Sequence, residues 1–307
     1  MGRDPTLPLV SIVTPSFNQA AFLERALESV LAQDYPNVEY IVVDGGSSDG
    51  SVEIIKRFED RIAWWESSPD DGQVDALLKG FARAEGEILG WLNSDDELLP
   101  GAIATVVEEL RADPSLMLAY GDNTLMDEEG GYEDVLRARP FDVVEMLRTG
   151  QNHVPQPGSL FRREALELAG GLPRDGYYYF DFEFVVRLGL AAFVKRVPAR
   201  LGLYRLHDES KSVSAQEQKA DDHLRMYDAV FALPNLPPEV RGIESEARAT
   251  AERVAGEYYY AAGKRARARA AFMRSLRLHP RLRTLALLAR VVLPEPFIAA
   301  LRRARLS

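Results

Sequence analysis

The chain has 307 residues, 46% hydrophobic and 27% charged, enough for a large globular domain with an appendage or for two domains. It contains no cysteine, which excludes disulfides, thiolate metal sites and cysteine nucleophiles. The net charge of −10 hides an asymmetry: residues 261–307 carry 12 Lys/Arg and one Glu, the remainder 25 basic and 46 acidic side chains, and so acidic a body argues against general nucleic-acid binding. Residues 1–8 hold no apolar core of signal-peptide length, and no run of about 18 apolar residues occurs. Neither Sec export nor a membrane span is predicted, and the expected location is cytoplasmic.

In chain order, an apolar run predicts a buried strand over 9–14, ending in the polar loop Pro15-Ser16-Phe17-Asn18. Phe22, Leu23, Ala26, Leu27, Val30 and Leu31 then mark a helix over 21–32. A second buried strand, 39–44, ends in Asp44 and a Gly/Ser turn, 45–50, before a helix over 51–58. A short strand over 62–66, a loop to Gly72 and a helix over 73–84 follow. The fourth strand, 88–92, stops at Asn93-Ser94-Asp95-Asp96. Such alternation implies right-handed crossovers and a parallel sheet. The carboxyl ends of its strands share one edge, so Thr14, Asp44 and Asn93 to Asp96 converge on one crevice. Two adjacent carboxylates at the end of a buried strand repel and are costly to desolvate, unless water solvates them or a cation neutralises them. Hard divalent cations take such oxygens and share their other positions with phosphates. The plainer alternative is that Asp or Ser there caps a helix beginning near Leu98. The Gly/Ser turn has the spacing of neither a dinucleotide turn nor a Walker loop.

Four motifs, in this order and at these spacings, resemble glycosyltransferase family 2 over about 9–214: VSIVTPSFN at 10–18, YIVVDGGSSDGS at 40–51, PDDGQVDALLKG at 69–80 and WLNSDD at 91–96. The resemblance implies a GT-A fold, an α/β domain whose mostly parallel sheet is flanked by helices, over 1–214, with a C-terminal helical extension over 215–307. It implies that Thr14, Pro15 and the loop to Asn18 line a nucleotide pocket, and that Asp44 accepts a hydrogen bond from the base, a uracil-type N–H. Asp70 and Lys79 would sit by the base and the diphosphate, although a turn residue and a solvated helix end are the plain alternatives for them. Asn93-Ser94-Asp95 stands where the family has Asp-x-Asp. Asp95, with Asp96 beside it, would hold Mn²⁺ or Mg²⁺ against the diphosphate.

Further on, a strand is expected over 116–120, closed by Gly121-Asp122. The loop 151–161 brings His153, Gln156 and Ser159, with Gln156 matching the acceptor side of similar sequences. An aromatic run, 177–180, leads to Asp181 at the start of an apolar helix. The resemblance makes Asp181 the catalytic base, with Glu183 as runner-up and an N-cap as the plain alternative. Arg205-Leu206-His207 opens the Arg-x-His-x-x-Ser signature that ends many such domains. His207 could complete the metal shell or contact the diphosphate, and Arg205 could offer a cation to phosphate.

Helices are expected over 216–233, 239–262 and 265–278, and 255–280 is similar to one tetratricopeptide-type pair. Residues 282–301 are amphipathic and Arg-rich, interrupted by Pro294; they would pack on protein or lie on a membrane surface. The implied function is inverting, metal-dependent transfer of a sugar from a nucleotide-sugar, a UDP-sugar by the Asp44 argument, to a glycan or lipid-linked acceptor in surface polysaccharide synthesis. A catalytically silent nucleotide-sugar-binding scaffold acting through its helical tail is the alternative.

Overall fold

The computed structural model describes residues 4–207 and 215–292. Ser210 of the Arg-x-His-x-x-Ser signature and the expected amphipathic stretch beyond Val292 lie outside the described residues. Contacts divide the chain into two compact units: the described residues 4–142 and 152–207 form one, and 143–151 with 215–292 the other.

The first unit opens with β1 (Val10–Ser16), α1 (Ala20–Leu31), β2 (Val38–Asp44), α2 (Ser51–Arg57), β3 (Trp64–Ser67), α3 (Gln73–Arg83) and β4 (Ile88–Trp91). These strands pair in parallel in the order β3-β2-β1-β4. The register sets Ser16 opposite Asp44 and Asp44 opposite Ser67, so the ends of three strands are level. A two-residue strand, β5 (Glu97–Leu98), and α4 (Ala102–Ala112) follow, then β6 (Leu116–Met126) and β7 (Tyr132–Leu136). After α5 (Val143–Thr149), which belongs to the second unit, come β8 (Leu160–Arg162), α6 (Glu164–Leu168), α7 (Phe180–Ala191) and β9 (Phe193–Arg205). They extend the sheet as β4-β8-β6-β9-β5, with β7 paired to β6.

Each face of the sheet is covered. Leu23, Leu27 and Val30 of α1 and Ile103, Val106 and Leu110 of α4 bury one face with Val10, Ile12 and Val42. On α3 and α7, Phe81, Phe180 and Phe184 gather with Trp91 and Phe161 into an aromatic cluster with centroids 5.2–6.5 Å apart. The strand expected to stop at Tyr120 runs on to Met126. Gly121 is a point of close approach, not an end: a Cβ there would lie 2.4 Å from the Ala199 carbonyl oxygen of β9. Beyond it, β7 and β9 supply ladder partners on both sides.

The second unit holds α5, α8 (Gln216–Phe231), α9 (Pro238–Gly242), α10 (Glu244–Ala261), α11 (Arg265–Leu278) and α12 (Leu282–Val292). The single helix expected over 239–262 is broken at Ile243 into α9 and α10. α10 and α11 run antiparallel around Ala255, Tyr259, Ala268, Ala271 and Phe272, while Ser275 donates to the Ala249 carbonyl at 2.6 Å. Among the described residues, no helix is long and apolar enough to cross a membrane.

Candidate functional site

The loops after β1 and β2 are fastened to each other. Asn18, in a left-handed conformation (φ 51°), donates its N–H to Ser47 Oγ at 2.7 Å and accepts the Ser48 N–H at 2.9 Å. Asp49 accepts the Ala20 N–H at 2.8 Å with one oxygen, and the Ser51 N–H and hydroxyl with the other. One carboxylate thus serves the first turns of both α1 and α2. Thr14 and Pro15 are buried on β1, and the Thr14 hydroxyl is paired with the Tyr40 hydroxyl at 2.9 Å.

Asp44 is fully buried. It accepts hydrogen bonds from the Gly46 N–H (3.1 Å), the Ser47 N–H (2.9 Å), the Ser47 hydroxyl (2.6 Å) and the Ser67 hydroxyl (2.6 Å). Three of these donors crowd Oδ2 and one serves Oδ1, so the chain itself holds this carboxylate firmly in place. Because Asp44 is fully buried, a base N–H can join it only if its own turn opens. Asp70 is half-buried and lies over Gly45, where a Cβ would come within 3.0 Å of its carboxylate. Burial pushes its carboxyl up, opposed by the Gly72 N–H bond (2.8 Å) and the positive field of Lys79. The Lys79 ammonium pairs with Asp75 at 3.1 Å.

The turn after β4 is built differently. α4 starts only at Ala102, with Gly101 before it, so Asp95 and Asp96 do not cap a helix. Gln73, the first residue of α3, donates to Asn93 Oδ1 at 2.7 Å, and Asn93 donates to Asp96 Oδ2 at 3.1 Å. Ser94 is buried, and Asp96 is 1% exposed, with Oδ1 accepting the Arg205 N–H at 3.0 Å. Burial, then the neighbouring charge of Asp95, push the Asp96 carboxyl well above the ordinary carboxylate range.

Arg205 does not face a phosphate site. Its guanidinium is buried and donates to the backbone oxygens of Asp95 (2.9 Å), Asp127 (3.1 Å) and Glu128 (2.9 Å) and to Glu97 Oε1 (2.7 Å), with the Phe22 ring 5.0 Å away. The latch carries His207, two residues on, onto the turn. His207 Nε2 lies 3.1 Å from Asp95 Oδ2, with its ring against Phe22. Asp95 keeps 24% of its side chain exposed.

A carboxylate and an imidazole in contact, with a second carboxylate buried behind them, fit a hard divalent cation by donor type. Among the described residues no group of three such side chains already has the geometry to hold one. Asp96, expected as a ligand, is engaged by Arg205 and Asn93 instead.

Asp181 lies in the first turn of α7, after Tyr179 at the N-cap, where the helix dipole favours a carboxylate. It is half-buried and faces the Asn152 amide at 3.4 Å. Its neighbour Phe180 packs on Trp91, two residues before Asn93. Glu183 is wholly buried and ion-paired with Arg187, which takes the runner-up base away from solvent. Gln156 donates to the Trp91 carbonyl, and His153 Nδ1 lies 3.0 Å from the Pro140 carbonyl. Gln73 is the site's unanticipated member, and Arg205, expected at a phosphate, holds the turn instead. Gln73 sits inside one of the four motifs, which was the available signal.

A family model described as glycosyl transferase family 2 matches residues 11–168. An uncharacterised glycosyltransferase of Mycobacterium tuberculosis (strain ATCC 25618 / H37Rv) is 36% identical over 185 residues, covering 60% of this chain and 70% of the relative. The mannosyltransferase PcManGT from Pyrobaculum calidifontis, solved with GDP-Man and Mn²⁺, superposes with a TM-score of 0.63 at 21% identity, over 95% of this chain and 83% of that one. Staphylococcus aureus TarS 1–349, solved with UDP-GlcNAc, gives 0.61 at 14% identity, over 92% and 79%. At these identities the two structures show a shared fold.

Proposed function

The chain belongs to glycosyltransferase family 2 and has the GT-A fold, and from that premise we propose an inverting, metal-dependent transfer of a sugar from a UDP-sugar to a glycan or lipid-linked acceptor in surface polysaccharide synthesis. The observation that carries the metal dependence is the contact between Asp95 and His207 above the buried Asp96. Asp95 and His207 would hold Mn²⁺ or Mg²⁺, whose charge would favour the ionised form of Asp96 behind them. The cation supplies neutralisation of the charge that develops on the leaving diphosphate. The β1 loop from Thr14 through Pro15 to Asn18, the Asp44 turn, Asp70, Lys79, Asn93 and Ser94 would bind the nucleotide.

In this reading Asp181 takes the proton of the acceptor hydroxyl. The acceptor oxygen bonds to the anomeric carbon, and the bond from that carbon to the diphosphate breaks on the opposite face. A single displacement of this kind inverts the configuration. Residues 1–214 carry the chemistry, and 215–307 form the extension.

PcManGT was solved with GDP-Man and TarS with UDP-GlcNAc, so the test is a panel. Thermal unfolding is followed with UDP-, dTDP-, GDP- and CMP-sugars, each with Mn²⁺ and with EDTA. The expected result is a rise of roughly 5–10 °C with a UDP-sugar and Mn²⁺ near 100-fold saturation, absent in EDTA. A rise with GDP-sugar alone would overturn the uracil assignment. No shift with any donor would overturn the donor site, and a shift without transfer to any acceptor would favour the silent scaffold.

A further inference from the structure

The helical unit neutralises most of its arginines internally. Arg267 pairs with Glu217 and Asp221, Arg274 with Glu252, Arg281 with Glu246 and Arg283 with Glu257. One row on α11 departs from this pattern. Arg265, Arg269, Met273 and Arg277 recur every four residues along one side of the helix, and all four are exposed. The three arginines of the row make no ion pair among the described residues.

The next helix has an exposed apolar row of its own. α12 turns Thr284, Leu287, Leu288 and Val291 inward against Tyr259 and Phe272. Its other side presents Leu282, 86% exposed, Leu285, 54%, and Val292, 56%. These recur at the spacing of a single helical face, with Ala286 and Ala289 between them. Residues 264–292 contain nine Lys/Arg and no acid. A helical hairpin that, among the described residues, has one basic side without counter-charge and one apolar side without cover has the chemistry of an interfacial element.

We propose that the outer faces of α11 and α12 seat the helical unit on an anionic lipid surface. The arginines of α11 meet the headgroup phosphates, and Leu282, Leu285 and Val292 enter the boundary with the acyl chains. The charge complementarity selects an anionic surface, and the apolar row, a single helix wide, matches shallow insertion of about 5–10 Å. This surface stands on the helical unit alone and is independent of the donor site.

The test is co-sedimentation of the full chain with phosphatidylcholine vesicles, with and without about 30% phosphatidylglycerol. Each is run near 0.1 M and near 1 M salt, where the screening length falls from ~10 Å to ~3 Å. Binding is expected only with phosphatidylglycerol and should weaken in high salt. Arg265→Glu, Arg269→Glu and Arg277→Glu together should reduce partitioning at least about 10-fold, since each basic residue near the surface contributes. Leu282→Ser with Leu285→Ser should remove the binding left at high salt. All five positions are exposed, and an unchanged unfolding midpoint would confirm intact variants.

Equal partitioning onto both vesicle types, or binding to neither, would overturn the proposal. So would a loss produced only by Arg302→Glu, Arg303→Glu and Arg305→Glu, which would assign the contact to the segment after α12. A dimer dissolved by the leucine pair, with vesicle binding unaffected, would make this face an interface between copies.

Discussion

The turns after β2 and β4 end two strands of one sheet edge, with β1 between them, and each buries a carboxylate. Asp44 receives four hydrogen bonds, two of them from backbone N–H groups of its own turn. Asp96 receives two, sits beside Asp95 and is pushed toward its neutral form. A buried carboxylate held by four donors of its own chain fixes the path of that chain. A buried carboxyl left short of donors beside a second acid is held toward its neutral form, and a cation would draw it to the ionised form. By this contrast the first turn holds its own shape against the proposed nucleotide, and the second is where the proposed metal would sit.

The contrast leaves proton transfer to neither turn. Asp181→Asn should therefore lower transfer by about 10²–10⁴-fold while the donor-induced thermal shift stays. Full activity in this variant would send the base assignment back to one of the turns. Arg205→Met removes the guanidinium that holds the second turn and leaves the Asp95, Asp127 and Glu128 carbonyls and Glu97 without it. A loss of about 3–5 kcal/mol in urea unfolding is expected. A loss under about 1 kcal/mol would mean the turn stands without its latch.

Asp95→Ala should cut Mn²⁺-dependent transfer on the order of 100-fold, the scale of a lost metal contribution. Its unfolding midpoint should hardly move, because that side chain is partly exposed. Undiminished transfer would remove the cation from this turn.

The two buried acids should then respond oppositely to one isosteric change. Asp44→Asn keeps an oxygen for the Gly46 and Ser47 N–H groups but sets an NH2 against the Ser47 hydroxyl and removes the charge that the four donors stabilise, and should cost about 1–3 kcal/mol. Asp96→Asn should raise metal-free stability at pH 7 by on the order of 1 kcal/mol, since the Asn93 and Gln73 amides can turn over to accommodate it. The pH dependence gives the sign. With its carboxyl raised in the fold, native Asp96 holds a proton that the unfolded chain has lost, so from about pH 4 up to that raised value the wild type loses stability as pH rises. The Asn variant should lose this slope. Parallel urea titrations at pH 4 and pH 7 would show it, and destabilisation by both substitutions would dissolve the comparison.

Much of the first unit was legible because it is written in local patterns. Continuous apolar runs gave β1, β2 and β4 within two residues at each end, and a 3.6-residue stripe gave α1. The convergence of Asp44 and Asn93–Asp96 follows from strand–helix alternation alone. The second half of the sheet was less legible. Gly121 reads as a stop, and only the nearby backbone of β9 explains it as a crossing. The two-residue β5 has no periodicity to read, and the pairing partner that makes it a strand lies about a hundred residues later in β9.

At the site, residue types were legible and directions were not. Arg205 carries the same formula whether it points at a phosphate or at four protein acceptors. Glu183 and Asp181 stand two positions apart, and the turn of α7 alone buries one and leaves the other half-open. The association of 143–151 with the helical unit is likewise invisible locally, because a short apolar helix does not announce what it packs on.

That excursion has a consequence for synthesis. α5 emerges from the ribosome early, yet its partners in the helical unit come much later. The Leu147 carbonyl accepts from the Tyr227 hydroxyl, 80 residues downstream, and the Arg148 carbonyl from Thr250, 102 downstream. At ~5–20 residues per second the first of these partners arrives about 4–16 s after its acceptor. Throughout that interval Met146 and Leu147, wholly buried in the finished protein, lack the α8 and α10 side of their packing. A nascent chain stalled between 152 and 215 therefore carries an apolar helix with half its cover missing, which makes this stretch of translation the one where a holdase would matter most.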